Sequence, residues 1–407
     1  MAGLTMVPIG RTQDLGSVFM SLVTRVDEMV SSSGADNAGF VDKCTVAINE
    51  ADVESLVTLV LANGEAVLAH SDETDIESVF SILGDVTRRA EGAVLAKVTQ
   101  ATCDVVAADA GARVDLRMRI LANLYNMLPF GSTERFQVFM RLVDFAAAAG
   151  RLAMLKPYFS QAEGWVKAWS LGVEDARALF LKISRALSSS GDESDTEAAY
   201  SFLVKFLTLF EDASAEELAG VADAAQDAAV GFIRTATVSR YAHIVDLKAV
   251  RQLASDPTRA RTFELVRIFA RGRLGDFQEF ARANGAYLGE VGLEEATCME
   301  TMRLLSLSSL AAEHSDAVSY ASIAETLDIG TDEVESWIIK ATMAGLIEAR
   351  MDQVKGEVTI SRFSQREFGE EHWRALQTRL HAWKSNVADV LATLERGRRR
   401  GGAGGAR

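Results

Sequence analysis

Five histidines and three cysteines are the side chains of this 407-residue chain best suited to nucleophilic, acid–base or metal chemistry. Their spacing supplies none of it. His70, His243, His314, His372 and His381 include no HxH, HxxH or HExxH pair, so a zinc site would have to be assembled from distant single residues. Cys44, Cys103 and Cys298 form no CxxC half-site and have no histidine nearby in sequence, which leaves each as a small buried hydrophobe. No GxSxG elbow presents a serine, and neither GxxxxGK[ST] nor GxGxxG after a strand is present to cradle phosphate. Gly285, Gly289 and Gly292 are merely glycine-rich. The adjacent pairs Glu216-Glu217, Glu294-Glu295 and Glu370-Glu371 sit at helix starts or faces, where dipole compensation or solvation explains them. No catalytic residue, cofactor or metal ligand is assigned, and the chain reads as non-enzymatic.

What the spacing does encode is contact. Trp373, Leu376, Leu380, Trp383, Val387, Val390 and Leu394 recur at alternating intervals of three and four, a heptad seam along one C-terminal helix. Such a helix can fold back on its own domain or join helices from partners, and tryptophan is enriched at interface hot spots. The spacing leaves both open.

The element that must position this seam is the stretch from Ala317 to Phe363, where the hydrophobic period changes from helical to alternating. It reads as a winged helix. Val318 to Tyr320 can pair as a short strand, and Ala321 to Leu327 puts Ile323, Ala324 and Leu327 on one side of a short helix. Gly330 supplies a turn and Thr331 an N-cap. Val334, Ile338 and Ala341 then mark a second helix that stops at Gly345. Beyond it, Ile347, Ala349 and Met351 alternate with polar residues, as do Val358 and Ile360, with a hairpin over Gln353 to Gly356.

A winged helix that reads DNA needs cationic or amide donors on its second helix. Here that helix opens with Asp332, Glu333 and Glu335, opposed only by Lys340, so the charges favour a protein contact. The nucleic-acid alternative would need a basic face from Arg350, Lys355, Arg362 and the tail.

Almost everything before the wing reads as amphipathic helices. Stripes run through Leu15–Met29, Val114–Leu128 and Phe136–Ala147, with further helices over Val53–Ala69, Val79–Asp109, Val173–Leu187, Ala198–Phe210 and Ala215–Arg234. The fold class is mainly α, a right-handed helical-repeat arm without a fixed repeat period, followed by the winged-helix subdomain and a long C-terminal helix. The divisions expected are an N-terminal helical segment over 1–110, the arm over 111–315, the winged helix over 316–363, the heptad helix over 366–396 and a disordered Gly/Arg tail over 397–407. The formal charge is −15; Arg398, Arg399, Arg400 and Arg407 contribute four positive charges, so residues 1–396 carry −19. An acidic body repels polyanions; the Gly- and Arg-rich tail reads first as a flexible solubilising segment or an address for import, with a weak RNA contact as the alternative. No signal-peptide pattern opens the chain and no run approaches the roughly 20 apolar residues of a membrane span, so no membrane partner and a cytoplasmic location are expected.

The arm with Leu274-Gly275-Asp276-Phe277-Gln278-Glu279-Phe280, then Val334-Glu335, Ala344-Gly345-Leu346-Ile347 and Asp352-Gln353, resembles the PCI-domain family of proteasome-lid, signalosome and initiation-factor subunits. Arg113 to Arg117, Leu121 to Asn126, Phe368-Gly369, Trp373, Leu376 and Ala382-Trp383-Lys384 are most similar to the initiation factor 3 branch. The resemblance covers most of Arg113 to Leu394 and places the helical part of the PCI domain from about residue 200. It implies a non-catalytic scaffold of eukaryotic translation initiation factor 3 that supports preinitiation-complex assembly. The implied partners are the other PCI and MPN subunits, with the small ribosomal subunit reached through the complex. A signalosome or proteasome-lid scaffold subunit is the alternative within the family. No ribosome-contacting residue carries over. A winged helix with an exposed strand edge can extend a sheet between subunits, with the first strand or the edge at Glu357, Thr359 and Ser361 as the candidate.

Overall fold

Capping side chains and close-packed glycines, far more than the four prolines, cut this chain into its elements. The computed structural model describes residues 15–32, 37–234, 243–313, 317–364, 366 and 370–402. They divide into two compact units, Met1–Leu209 and Phe210–Arg407.

The first unit is built of α1 (Leu15–Ser32), α2 (Phe40–Asn49), α3 (Val53–Ala62), α4 (Gly64–Leu68), α5 (Glu73–Thr87), α6 (Gly92–Val106), α7 (Val114–Met127), α8 (Thr133–Ala148), α9 (Lys156–Phe159), α10 (Ala162–Ala168), α11 (Val173–Ser189) and α12 (Glu193–Thr208). Asp52, Asp72, Ser132 and Asp192 start α3, α5, α8 and α12 by accepting the backbone N–H of Ser55, Thr74, Arg135 and Ser194. The helix expected over 53–69 is two. It breaks at Asn63, and Gly64 lies so close to α6 that a Cβ there would sit 2.4 Å from Val105 Cγ1. The run expected over 79–109 likewise divides into α5 and α6, with Gly92, at φ +54°, opening α6. Trp165 and Trp169, four residues apart, share a face: their rings stack at 5.2 Å, and Phe139 meets Trp165 edge-on at 4.8 Å.

The second unit continues with α13 (Ala215–Gly220), α14 (Ala222–Arg234), α15 (Lys248–Arg251), α16 (Ala260–Arg271), α17 (Leu274–Glu290) and α18 (Glu295–Glu313). The Ala-rich segment expected as one helix is α13 and α14, parted at Val221. The winged helix follows as β1 (Ala317–Ser319), α19 (Tyr320–Leu327), α20 (Val334–Met343), β2 (Ile347–Asp352) and β3 (Glu357–Phe363), and α21 (Glu370–Gly402) closes the chain. Leu307, Leu310 and Ala311 of α18 join Val318, Ile323, Leu327, Trp337, Ile338 and Val358 in one buried cluster, so the last arm helix completes the winged-helix core.

Two boundaries differ from expectation. Thr331 is not the N-cap of α20: residues 331–333 form a turn and the helix begins at Val334 behind Glu333. Its end matches the expected stop, because Gly345 takes φ +70° while Leu346 N–H donates to Ala341 O at 3.0 Å and Gly345 N–H to Thr342 O at 3.0 Å, a Schellman closure. At the C-terminus, α21 runs six residues past the boundary set at 396, through the stretch expected as disordered tail. A single Gly397 costs a helix only about 1 kcal/mol, and arginines favour it. Residues 403–407 lie outside the described residues.

One device recurs at the helix ends. An arginine from another element donates to the orphan carbonyls of a last turn, where the helix dipole is negative. Arg117 serves α6 through Val105 and Val106 at 3.2 and 2.9 Å, Arg135 serves α7 through Tyr125 at 2.9 Å, and Arg177 serves α12 through Leu209 at 3.0 Å. In the second unit Arg234 reaches Val291 and Gly292 behind α17 at 2.8 and 3.0 Å, and Arg303 reaches Leu327 and Asp328 behind α19 at 3.0 and 3.1 Å.

Candidate protein-docking surface

The second helix of the winged helix, α20, buries Val334, Trp337, Ile338 and Ala341 and turns Ser336, Ile339, Lys340 and Met343 outward, behind the exposed Asp332 and Glu333 of the turn before it. Its one cation is engaged. Lys340 pairs with Glu300 of α18 at 2.6 Å and lies 4.7 Å from the Trp337 ring centroid. Glu335 accepts from the Tyr320 hydroxyl at 3.2 Å and from Gln353 at 2.8 Å; desolvation first, and this carboxylate second, hold the phenol above its ordinary pKa. Of the cations a groove reader would need, Arg362 pairs with Glu348 at 3.1 Å and Lys355 with Asp352 at 3.8 Å. The outward face offers phosphate an acidic lead and an apolar middle, Ile339 and Met343 at i, i+4, which suits a polypeptide better.

The sheet corrects one expectation. Its order is β1-β3-β2, all antiparallel, so β3 is the central strand. Glu357 and Thr359 pair with Ser319 and Ala317 on one side and with Asp352 and Arg350 on the other, and their backbone groups are not an outer edge. Ser361 falls at a bulge between Glu348 and Ala349, its hydroxyl donating to Glu348 O at 3.0 Å. The outward edges belong to β1 and to the longer β2.

The seam on α21 is laid bare. Exposure runs from 37% at Leu376 to 68% at Trp383, with Trp373, Leu380, Val387 and Val390 between; Leu391 adds a further exposed apolar side chain, and Leu394 lies on the same helix. Isolated exposed leucines are ordinary, but six large apolar residues on one narrow stripe are not. The helix spans about 50 Å at 1.5 Å per residue.

The chain between β3 and α21 is held by residues that sequence reasoning did not single out. Ser364 N–H donates to Leu346 O at 2.7 Å, and the Ser308 hydroxyl donates to Ser364 O. Arg366, 8% exposed, extends its guanidinium to Gly272 O at 3.0 Å, Ile268 O at 3.2 Å and Phe269 O, the carbonyls that end α16, and to the Ser309 hydroxyl. Gly272 is part of this seat, since a Cβ there would lie 2.8 Å from the Ile268 backbone. The signal in the sequence was only a basic residue between the last strand and the heptads; its carbonyl partners lie more than ninety residues earlier.

Among the described residues the side chains considered for chemistry are dispersed; His314 and the His372 side chain lie outside them. Cys44, Cys103 and Cys298 are at most 3% exposed, and burial pushes their thiols up to about 11, 12 and 11. Among the described residues no three His, Cys, Asp or Glu side chains gather as a metal site, and no helix is long and apolar enough to cross a membrane.

Comparison with known proteins agrees with the two regions that the geometry marks out. The PCI domain profile matches residues 282–362, and that of the eIF3 subunit M C-terminal helix matches 366–394, beginning at Arg366. The chain is similar to the eukaryotic translation initiation factor 3 subunit M of Dictyostelium discoideum, 27% identical over 390 residues and covering 94% of each chain. It is similar to that of Nematostella vectensis, 30% identical with 69% of this chain and 71% of the relative covered, and to that of Pongo abelii, 25% identical with 92% and 98% covered. Likeness that spans nearly the whole length, together with a PCI domain followed by the C-terminal helix peculiar to this group, means that the chain belongs to the eukaryotic translation initiation factor 3 subunit M family.

Proposed function

We propose that this chain is a non-catalytic scaffold of translation initiation factor 3. It acts in the cytoplasm, holding other PCI and MPN subunits together so that the preinitiation complex can assemble on the small ribosomal subunit. The observation that carries the reading is the bare heptad seam on α21. A stripe left in water by its own chain is suited to burial against helices of other polypeptides.

The working parts in this reading are the N-terminal segment 1–110, the arm 111–315, the winged helix 316–363 and α21. The wing adds a second contact, with the outer edge of β2 available to a neighbouring strand, and two contacts on one rigid base raise the effective concentration of each. Arg398, Arg399 and Arg400, in the last turns of α21, give a weak RNA contact a place. The signalosome and proteasome-lid alternative gives way because the relatives found carry the initiation-factor name. The test is capture of the tagged full chain from eukaryotic cell extract, with the co-purifying proteins identified by mass spectrometry. Other initiation factor 3 subunits are expected; their absence, or recovery of proteasome-lid or signalosome subunits instead, refutes the proposal.

A further inference from the structure

The residues beside the seam are as uneven in charge as the seam is regular in hydrophobicity. With Trp373, Leu380, Val387 and Leu394 at heptad position a and Leu376, Trp383 and Val390 at d, the flanking e positions hold Gln377, Lys384 and Leu391, and the g positions Arg379, Asn386 and Thr393. Two cations stand at the centre of the stripe and neither flank carries an acid. Asp389 falls at c, off the flanks, and Lys384 is exposed. This basic strip belongs to a chain whose formal charge is −15.

We infer that the flanks of α21 select an amphipathic helix with acidic residues along its own flanks and reject a second copy of this chain. The inference rests on the helix-docking part of the proposed function and adds the chemistry of the partner. In a parallel pair, position g of one helix faces the e position five residues onward in the other, so Arg379 of each copy would meet Lys384 of the other, twice per pair. In an antiparallel pair g faces g and e faces e, so a register centred on Arg379 or on Lys384 sets that cation opposite its own copy. A partner with Glu or Asp at those positions turns each repulsion into an ion pair beside a dry seam, where water screens it less than at an open surface. Apolar burial holds the helices together, and the flanks decide which helices are held.

Two measurements on the full chain test this. In sedimentation velocity at micromolar concentration and low salt, the wild type is expected to stay monomeric. Lys384→Glu, which converts both facing pairs of the parallel arrangement to attraction, is expected to strengthen self-association by about tenfold or more, an effect lost in high salt. A wild type that dimerises through the seam, or a Lys384→Glu chain that behaves like the wild type, overturns the self-exclusion.

For the partner, the probes are two designed helical peptides of about four heptads with Leu at a and d, one with Glu and one with Lys at every e and g. The wild type is expected to bind the Glu-flanked peptide at least about tenfold more tightly, and Arg379→Glu with Lys384→Glu is expected to reverse the order. Equal binding of both peptides overturns the charge selection while leaving helix docking in place. Failure of both to bind overturns docking as well.

Discussion

Arg366, between β3 and α21, is held by three bonds to backbone carbonyls at the negative end of α16. Hydrogen bonds to a charged donor are worth more than neutral ones, and removing the donor leaves buried acceptors unmatched. Arg366→Ala is therefore expected to destabilise the second unit by about 2–4 kcal/mol in urea unfolding. Arg366→Lys should restore less than half, because one ammonium cannot span three carbonyls. Unchanged stability in both variants would contradict the seat. The cysteines give a second test at this scale. Burial raises their pKa values from 9.0 to about 11 and 12, so the folded state favours the neutral thiol. Their contribution to stability is full below pH 9 and declines as pH rises toward those folded values. Iodoacetamide at pH 8 is expected to leave the native chain unlabelled and to modify three thiols in urea; rapid native labelling would show that burial wrong.

At the scale of elements, a helix whose apolar stripe is exposed can be changed on that stripe at little expense to the fold. Leu380→Asp with Trp383→Asp is expected to leave the helical content of the chain and its urea midpoint nearly unchanged while reducing recovery of partner subunits about tenfold or more. Recovery equal to wild type would remove the seam from the interface. The same element shows what is legible in a sequence. The seam, the winged helix and the stop at Gly345 could be read because each rests on local periodicity or a single left-handed residue. The order β1-β3-β2 could not, since a three-residue strand names no partner and both neighbours of β3 have compatible alternation. The break at Asn63 did carry a local signal, the turn dipeptide Asn63-Gly64, whereas the close approach of Gly64 to Val105 on another helix could not be read from the stretch itself. Arg366 was invisible on the same ground, as its meaning depends on carbonyls distant in the chain.

At the scale of the whole molecule, each unit carries its own buried core, and arginines bridge helix ends in both. The surfaces left over are an acidic and apolar winged-helix face, the outer edge of β2 and the seam of α21. None of these gathers a nucleophile, a metal set or a basic groove, and all suit contact with polypeptide. If that is their use, the seam must be wet in the free chain and dry in the assembled factor. Hydroxyl-radical footprinting of Trp383 in both states measures this directly. The expected result is rapid oxidation in the isolated chain, where the residue is 68% exposed, and strong protection within the native complex. Equal oxidation in the two states, or protection already present in the isolated chain, would contradict it.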